Sequence, residues 1–182
     1  ELMNWLNRGM AVCVPPVTNR GGMINKFTGD GMLAVFGVPV AGDQSAEAIA
    51  ALEAAIEMRT GLETLNDEFR REGEPEIHIR LGIHSGEALV GSMGSQERIE
   101  YAVIGDTVNW ASRLESLEKH RHSGVLRVLL SSNTIALLPE NFRRSLRIDH
   151  WGPFVVKGRD EPLDVHELKF DNELEADPAT EG

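Results

Sequence analysis

The sequence predicts an α+β fold, a mixed or antiparallel sheet layered by helices in the split βαβ manner. Three observations carry this. Short apolar runs over 23–27 and 32–36 flank a tight Gly29-Asp30-Gly31 centre, the signature of a β-hairpin. An Ala-, Glu-, Leu- and Arg-rich run from 45 to about 71 has helical periodicity. Ile77, Ile79, Leu81 and Ile83 alternate with His78, Arg80, Gly82 and His84, the period of a strand with one buried face.

The elements follow in order. Leu2, Trp5, Leu6, Met10 and Val14 recur at helical spacing, so residues 1 to about 20 predict an amphipathic helix ended by Gly21-Gly22. Pro15-Pro16 interrupts it. An interior proline loses a hydrogen bond and clashes with the preceding turn at about 3 kcal/mol, so a kink or early stop is expected there. The hairpin strands, about 23–28 and 31–36, lead into a Gly37-Val38-Pro39 loop. In the long helix Ile49, Leu52, Ile56, Leu62, Leu65 and Phe69 form one apolar stripe, which Glu72-Gly73-Glu74-Pro75 terminates. Strands over 88–90 and 99–104 bracket a turn at 91–96. Asp106 or Thr107 then caps a helix to about Glu118, which puts Asn109 and Arg113 four apart on one face. After a basic, polar loop at 119–124 come a strand at about 125–131, a short helix at about 132–138, and strands near 143–150, 153–157 and 163–168. The tail 171–182 is acidic without apolar period and reads as disordered, leaving one domain over 1–170.

Size and charge narrow the classes of function. The 182 residues suit one domain with a sizeable core and are too few for two. A net charge of −11 argues against a general nucleic-acid binder, which needs a basic footprint to displace counterions. Cys13 is the sole cysteine and has no internal disulfide partner. No apolar run approaches the roughly 18 residues of a membrane span, so no membrane contact is expected from this stretch. The opening at Glu1, without initiator Met or leader, reads as a piece of a longer chain. The six histidines show no His-Glu-x-x-His or Cys/His spacing, so no zinc site is expected. Trp5, Trp110 and Trp151 read as packing or dimer anchors.

Asp30 at the tip of the hairpin, with Gly29 letting backbone approach phosphate oxygens, suits a hard divalent cation bridging to a nucleotide. Turn chemistry alone accounts equally for an Asp30 that caps the bend and a solvated Lys26. A second stretch bears on the choice. Lys26-Phe27-Thr28-Gly29-Asp30 is followed about seventy residues later by Ile104-Gly105-Asp106-Thr107-Val108-Asn109-Trp110-Ala111-Ser112-Arg113-Leu114. The pair resembles the class III nucleotidyl cyclases, the adenylyl and guanylyl cyclase family, and the resemblance extends from about Leu2 to about Leu168. The family fold is a ferredoxin-like sheet with a helical layer and extra C-terminal strands.

The resemblance implies conversion of ATP to 3′,5′-cyclic AMP and pyrophosphate. Asp30 matches the second of two metal-binding aspartates that hold Mg²⁺ or Mn²⁺, two ions per site. The first, on a strand with a Phe-Ser-Asp-Ile-x-Gly-Phe-Thr-like pattern, has no match in these residues. Lys26 matches the purine-reading lysine, which donates to adenine N1, and Phe27, Thr28 and Gly29 belong to the same substrate-binding stretch. Ala102 departs from the family's Asp or Thr and cannot accept the adenine amino group, which leaves selectivity to Lys26 and to backbone carbonyls near Val103. A guanine-tolerant pocket follows as an alternative.

Asn109 resembles the ribose-orienting residue and Arg113 the one balancing charge on the α-phosphate; the rival reading is a polar, solvated helix face. Arg80 matches a triphosphate-reaching arginine, against an ordinary rim salt bridge. Lys157 and Arg159 lie where the family keeps a phosphate-binding basic residue. In the family one protomer supplies the metal aspartates and the other the Lys, Asn and Arg. A homodimer with shared active sites is therefore implied, as are upstream regulatory or sensor domains and a cytoplasmic location. Two other readings stand beside it: a guanylyl cyclase, and a catalytically incomplete dimerisation module. A diguanylate cyclase would need a Gly-Gly-Asp/Glu-Glu/Asp-Phe turn, which the sequence lacks.

Overall fold

A computed structural model describes residues 2–95, 99–121, 124–155 and 162–170. Its first helix, α1 (Leu2–Thr18), runs through Pro15 and Pro16 instead of stopping at them. The two prolines fall in its last turn, so they remove two intrahelical donors but interrupt no further turns beyond them. Cys13, Pro16 and Val17 are buried there, so packing against the next helix offsets the loss. A Cβ on Gly61 would meet Val12 Cγ1 at 2.7 Å, which shows how closely that helix crosses α1.

The helix α2 (Gln44–Glu72) starts at Asp43, whose carboxylate accepts from Ser45 N, and ends at Gly73 with φ +74°. These are the side-chain N-cap and left-handed glycine stop that helix termini favour. Leu52, Leu62, Leu65 and Phe69 of the expected stripe are buried, whereas Ile56 is exposed and Ala48, Ala55 and Met58 take the core positions. Trp5 stacks on Phe69 at 6.0 Å and donates its indole N–H to Pro75 O.

The hairpin forms as expected, β1 (Met23–Thr28) antiparallel to β2 (Gly31–Val35). A second pair joins β4 (Leu89–Gly94) to β5 (Ile99–Ile104). The largest sheet has the order β3-β6-β8-β7, built from β3 (Ile79–Ile83), β6 (Leu126–Ser131), β7 (Arg147–Phe154) and β8 (Leu163–Lys169). Only β3 and β6 run parallel. Helices cover both faces of this sheet. Leu126, Val128 and Leu130 of β6 join the core under α1 and α2, while Leu129 packs with Leu114 of α3 (Asp106–Ser116). The α+β class with helical layers is the one predicted.

Three expectations give way. The strands near 143–150 and 153–157 are one strand, β7, and the start of the first belongs to a short helix, α5 (Glu140–Arg144), which follows α4 (Ser132–Leu137). Glu140 pairs with both Arg143 and Arg144, a helical spacing hidden beside the β-prone residues that follow. Neither Asp106 nor Thr107 caps α3. Gly105 holds that position without a side-chain cap, and the helix ends at Ser116, two residues before the expected end. The tail 171–182, expected to be disordered, lies outside the described residues.

Candidate functional site

The hairpin turns over two residues, Gly29 and Asp30, with Thr28 opposite Gly31. Gly29 takes φ +67°, the conformation that admits glycine at the first turn position. Asp30 is thereby presented at the tip, exposed, and has no side-chain partner among the described residues. The register slips between Ile24 and Lys26, leaving Asn25 as an inserted residue. Such bulges redirect a side chain. Asn25 Nδ2 donates to Tyr101 O at 2.7 Å, which ties β1 to β5. Lys26 and Ala102, the neighbours of these two residues, come to the same junction. Lys26 and Phe27 are exposed and Val103 is buried.

Beyond β5 the chain enters α3, whose placement is held at three points. Gly105 has φ +153°, and a Cβ there would lie 3.3 Å from Glu87 O. Thr107 Oγ1 donates to Glu87 O at 2.5 Å. At Gly82 of β3 an added Cβ would stand 2.2 Å from Ala111 O, so the helix rests on bare strand backbone. Asn109 is exposed on this helix. Arg113, one turn later, is half-buried with its guanidinium 5.4 Å from the centre of the Trp110 ring. Trp110 and Arg113 line a small crevice with Leu117 and Phe154.

Arg80, expected to reach a triphosphate, instead donates from Nε to Glu115 Oε1 at 2.8 Å, with both side chains about one-third exposed. Lys157 and Arg159 lie outside the described residues. The structure thus places Lys26 on β1 next to the tether, Ala102 and Val103 on β5 after it, and Asn109 with Arg113 on α3. It does not bring Asp30 to Arg113 within one chain, since Arg113 lies over its own Trp110 and Asp30 has no ion pair among the described residues.

Sequence reasoning missed Arg127. It is 2% exposed, and its guanidinium donates to the carbonyls of Leu117 at 2.5 Å, Glu118 at 2.6 Å, Arg121 at 2.8 Å and Glu115 at 3.3 Å. Burial pushes its pKa down from the usual guanidinium value. A cation at the C-terminal end of α3 satisfies carbonyls that the helix leaves without partners. The signal in the sequence was one arginine inside the otherwise apolar run 126–130.

The six histidines, unpromising by linear spacing, include a pair that the sheet joins. His150 of β7 lies opposite His166 of β8, and with Asp164 they present candidate ligand atoms within 4.8 Å of one another. These three residues make a potential metal-binding cluster.

A model of the adenylate and guanylate cyclase catalytic domain matches residues 19–169. Adenylate cyclase 1 of Rhizobium meliloti is 38% identical over 152 residues, covering 84% of this chain and 22% of that protein. Adenylate cyclase of Anabaena cylindrica is 34% identical over 175 residues, covering 93% of the chain and 32% of that protein. The chain therefore spans a third or less of these relatives. Among solved structures, the adenylyl cyclase CyaB from P. aeruginosa superposes with TM-score 0.80 at 30% identity, covering 95% of this chain and 85% of that one. The guanylyl cyclase Cya2 gives 0.77 at 28% identity, covering 91% and 79%. The family match and these likenesses define one class of protein. The chain belongs to the adenylate and guanylate cyclase catalytic domain family, and its fold is the class III cyclase fold.

Proposed function

We propose that residues 1–170 form the catalytic domain of a cytoplasmic adenylate cyclase that works as a homodimer. The observation that supports this most is the Asn25–Tyr101 tether, which fixes the Lys26 end of the hairpin to β5 while Asp30, without a side-chain partner among the described residues, stands at the other end. In the reaction the ribose 3′-oxygen of ATP bonds to the α-phosphorus, the bond to the bridging oxygen breaks, pyrophosphate leaves, and the hydroxyl proton is released. Such a transfer asks the protein for positioning and charge.

Asp30 fits a hard divalent cation, being a carboxylate exposed on a glycine turn with no competing partner among the described residues. Mg²⁺ or Mn²⁺ bound there supplies activation of the hydroxyl and a clamp on the phosphates. The ammonium of Lys26 donates to the purine. Val103 contributes backbone carbonyls, and Phe27, Thr28 and Gly29 offer backbone to the phosphates. Asn109 orients the ribose and Arg113 meets charge growing on the α-phosphate. Arg80, Lys157 and Arg159 serve the outer phosphates, and Arg80 must exchange Glu115 for substrate to do so. Lys26 and Asp30 of one chain serve opposite sites, which explains why Asp30 and Arg113 do not meet within a protomer.

Incubating the chain with ATP or GTP and Mn²⁺ tests this reading: cyclic AMP forms in preference to cyclic GMP, and Lys26→Glu reverses the preference. Absence of any cyclic product from a parent chain carrying its upstream sequence contradicts it. That outcome favours an incomplete cyclase-fold module, a reading supported by Ala102 and by the single matching metal aspartate. A substantial excess of cyclic GMP would instead favour a guanylyl cyclase, consistent with the likeness to Cya2.

A further inference from the structure

We propose that His150, Asp164 and His166 bind one zinc-class dication, at a site sharing no residue with the proposed nucleotide site. The geometry follows from strand register. Asp164 and His166 are two apart on β8 and so project from one face of the sheet, and His150 is the direct cross-strand neighbour of His166. The rings lie 4.9 Å apart between centroids. His150 Nε2 is 2.6 Å from Asp164 Oδ1, and His166 Nε2 is 3.7 Å from Oδ2. One potential ligand atom per residue falls within 4.8 Å of the others. Ligand bonds to zinc of about 2.0–2.2 Å require only modest side-chain rotation to converge on a common centre.

The chemistry of the donor set points the same way. Two imidazoles with one carboxylate suit zinc, cobalt or copper better than magnesium or calcium, which prefer all-oxygen shells. A ligating imidazole must be neutral, which zinc-class ions enforce by displacing its proton. His150 Nε2 and Ser132 Oγ both lie within hydrogen-bond reach of the Asp164 carboxylate. Ser132 Oγ reaches both Asp164 Oδ2 at 3.0 Å and His166 Nε2 at 2.9 Å. It is placed to keep the carboxylate oriented once His166 turns to the metal, as outer-shell partners of metal ligands do. Side-chain exposures of 56% for His150 and 44% for Asp164 leave the cluster open to entering ions, while His166 at 16% is held in the sheet. Three protein ligands leave a fourth position for water.

The test is calorimetric titration of metal-stripped full chain with Zn²⁺ in excess Mg²⁺, paralleled by Co²⁺ absorption. One equivalent binds despite Mg²⁺, with the visible bands of tetrahedral cobalt. His150→Gln and Asp164→Asn each weaken it at least tenfold, while Asp30→Asn leaves it unchanged. His150 lies exposed on an edge strand, and circular dichroism checks that its variant folds. Failure of Zn²⁺ to bind at tenfold excess, or binding that survives His150→Gln and His166→Gln undiminished, overturns the proposal and leaves a plain histidine–aspartate ion-pair cluster.

Discussion

Lys26 and Asp30 are four residues apart, yet their environments differ in one respect that matters: the bulge at Asn25 anchors the lysine end, and the turn at Gly29 projects the aspartate. Asp30→Asn keeps the shape of an exposed turn residue and removes its charge. It lowers kcat by about 10²-fold or more with little change in melting temperature, a split that steady-state kinetics and thermal unfolding read together. Cys13 gives a contrasting expectation. Burial raises its thiol pKa to about 11, so at pH 8 it stays protonated and resists thiol reagents until the chain is unfolded. His84 is partly buried against Ser131 Oγ at 2.8 Å, and burial lowers its pKa below 6.5. A histidine held neutral takes up its proton more readily unfolded, so its contribution is present above the unfolded pKa. It is lost as pH falls from there through the folded one. Melting temperature therefore drops as pH falls below the ordinary imidazole value of about 6.5, and His84→Gln flattens part of that slope.

At the scale of elements, α3 carries the proposed chemistry but does not hold itself in place. Gly82, Gly105 and Arg127 do so from other parts of the chain. Arg127→Leu leaves several carbonyls at the end of α3 without a donor and destabilises by at least about 2 kcal/mol, measured by urea unfolding. Gly82→Ala forces the helix off β3 and reduces kcat more than it raises KM, because the displaced groups are needed most in the transition state. The hairpin, the long helix and the alternating strand were legible because each has a local period or turn chemistry. The fate of Pro15-Pro16 was not, since the packing of Pro16 and Val17 is a tertiary fact that overrides propensity. Arg127 and the His150–His166 pair were invisible for a similar reason: tertiary packing against the end of α3 gives the first its partners and cross-strand register the second, neither present in linear spacing. Lys26, Asp30, Asn109 and Arg113 were legible as a pattern, and a rim salt bridge at Arg80 was the rival reading, though its partner Glu115 could not be read from spacing.

Across the whole molecule, the described residues include no helix long and apolar enough to cross a membrane. Several exposed apolar side chains lie on β4, β5 and the hairpin, with Leu89 74%, Phe27 60%, Met93 56% and Ile104 50% exposed, besides others such as Val40 and Leu2 elsewhere. These strands also carry or adjoin the proposed site, as a face shared by two protomers would. Specific activity accordingly falls on dilution as dimers separate. The most direct measurement is subunit complementation. Asp30→Asn and Arg113→Ala chains, each inactive alone, are mixed and assayed for cyclic nucleotide. With sites shared between protomers, half the dimers are mixed and each has one intact site, so about a quarter of the unmodified activity returns. If mixed dimers form, as shown by differently tagged chains co-purifying, and no activity returns, Asp30 and Arg113 do not act across a common site.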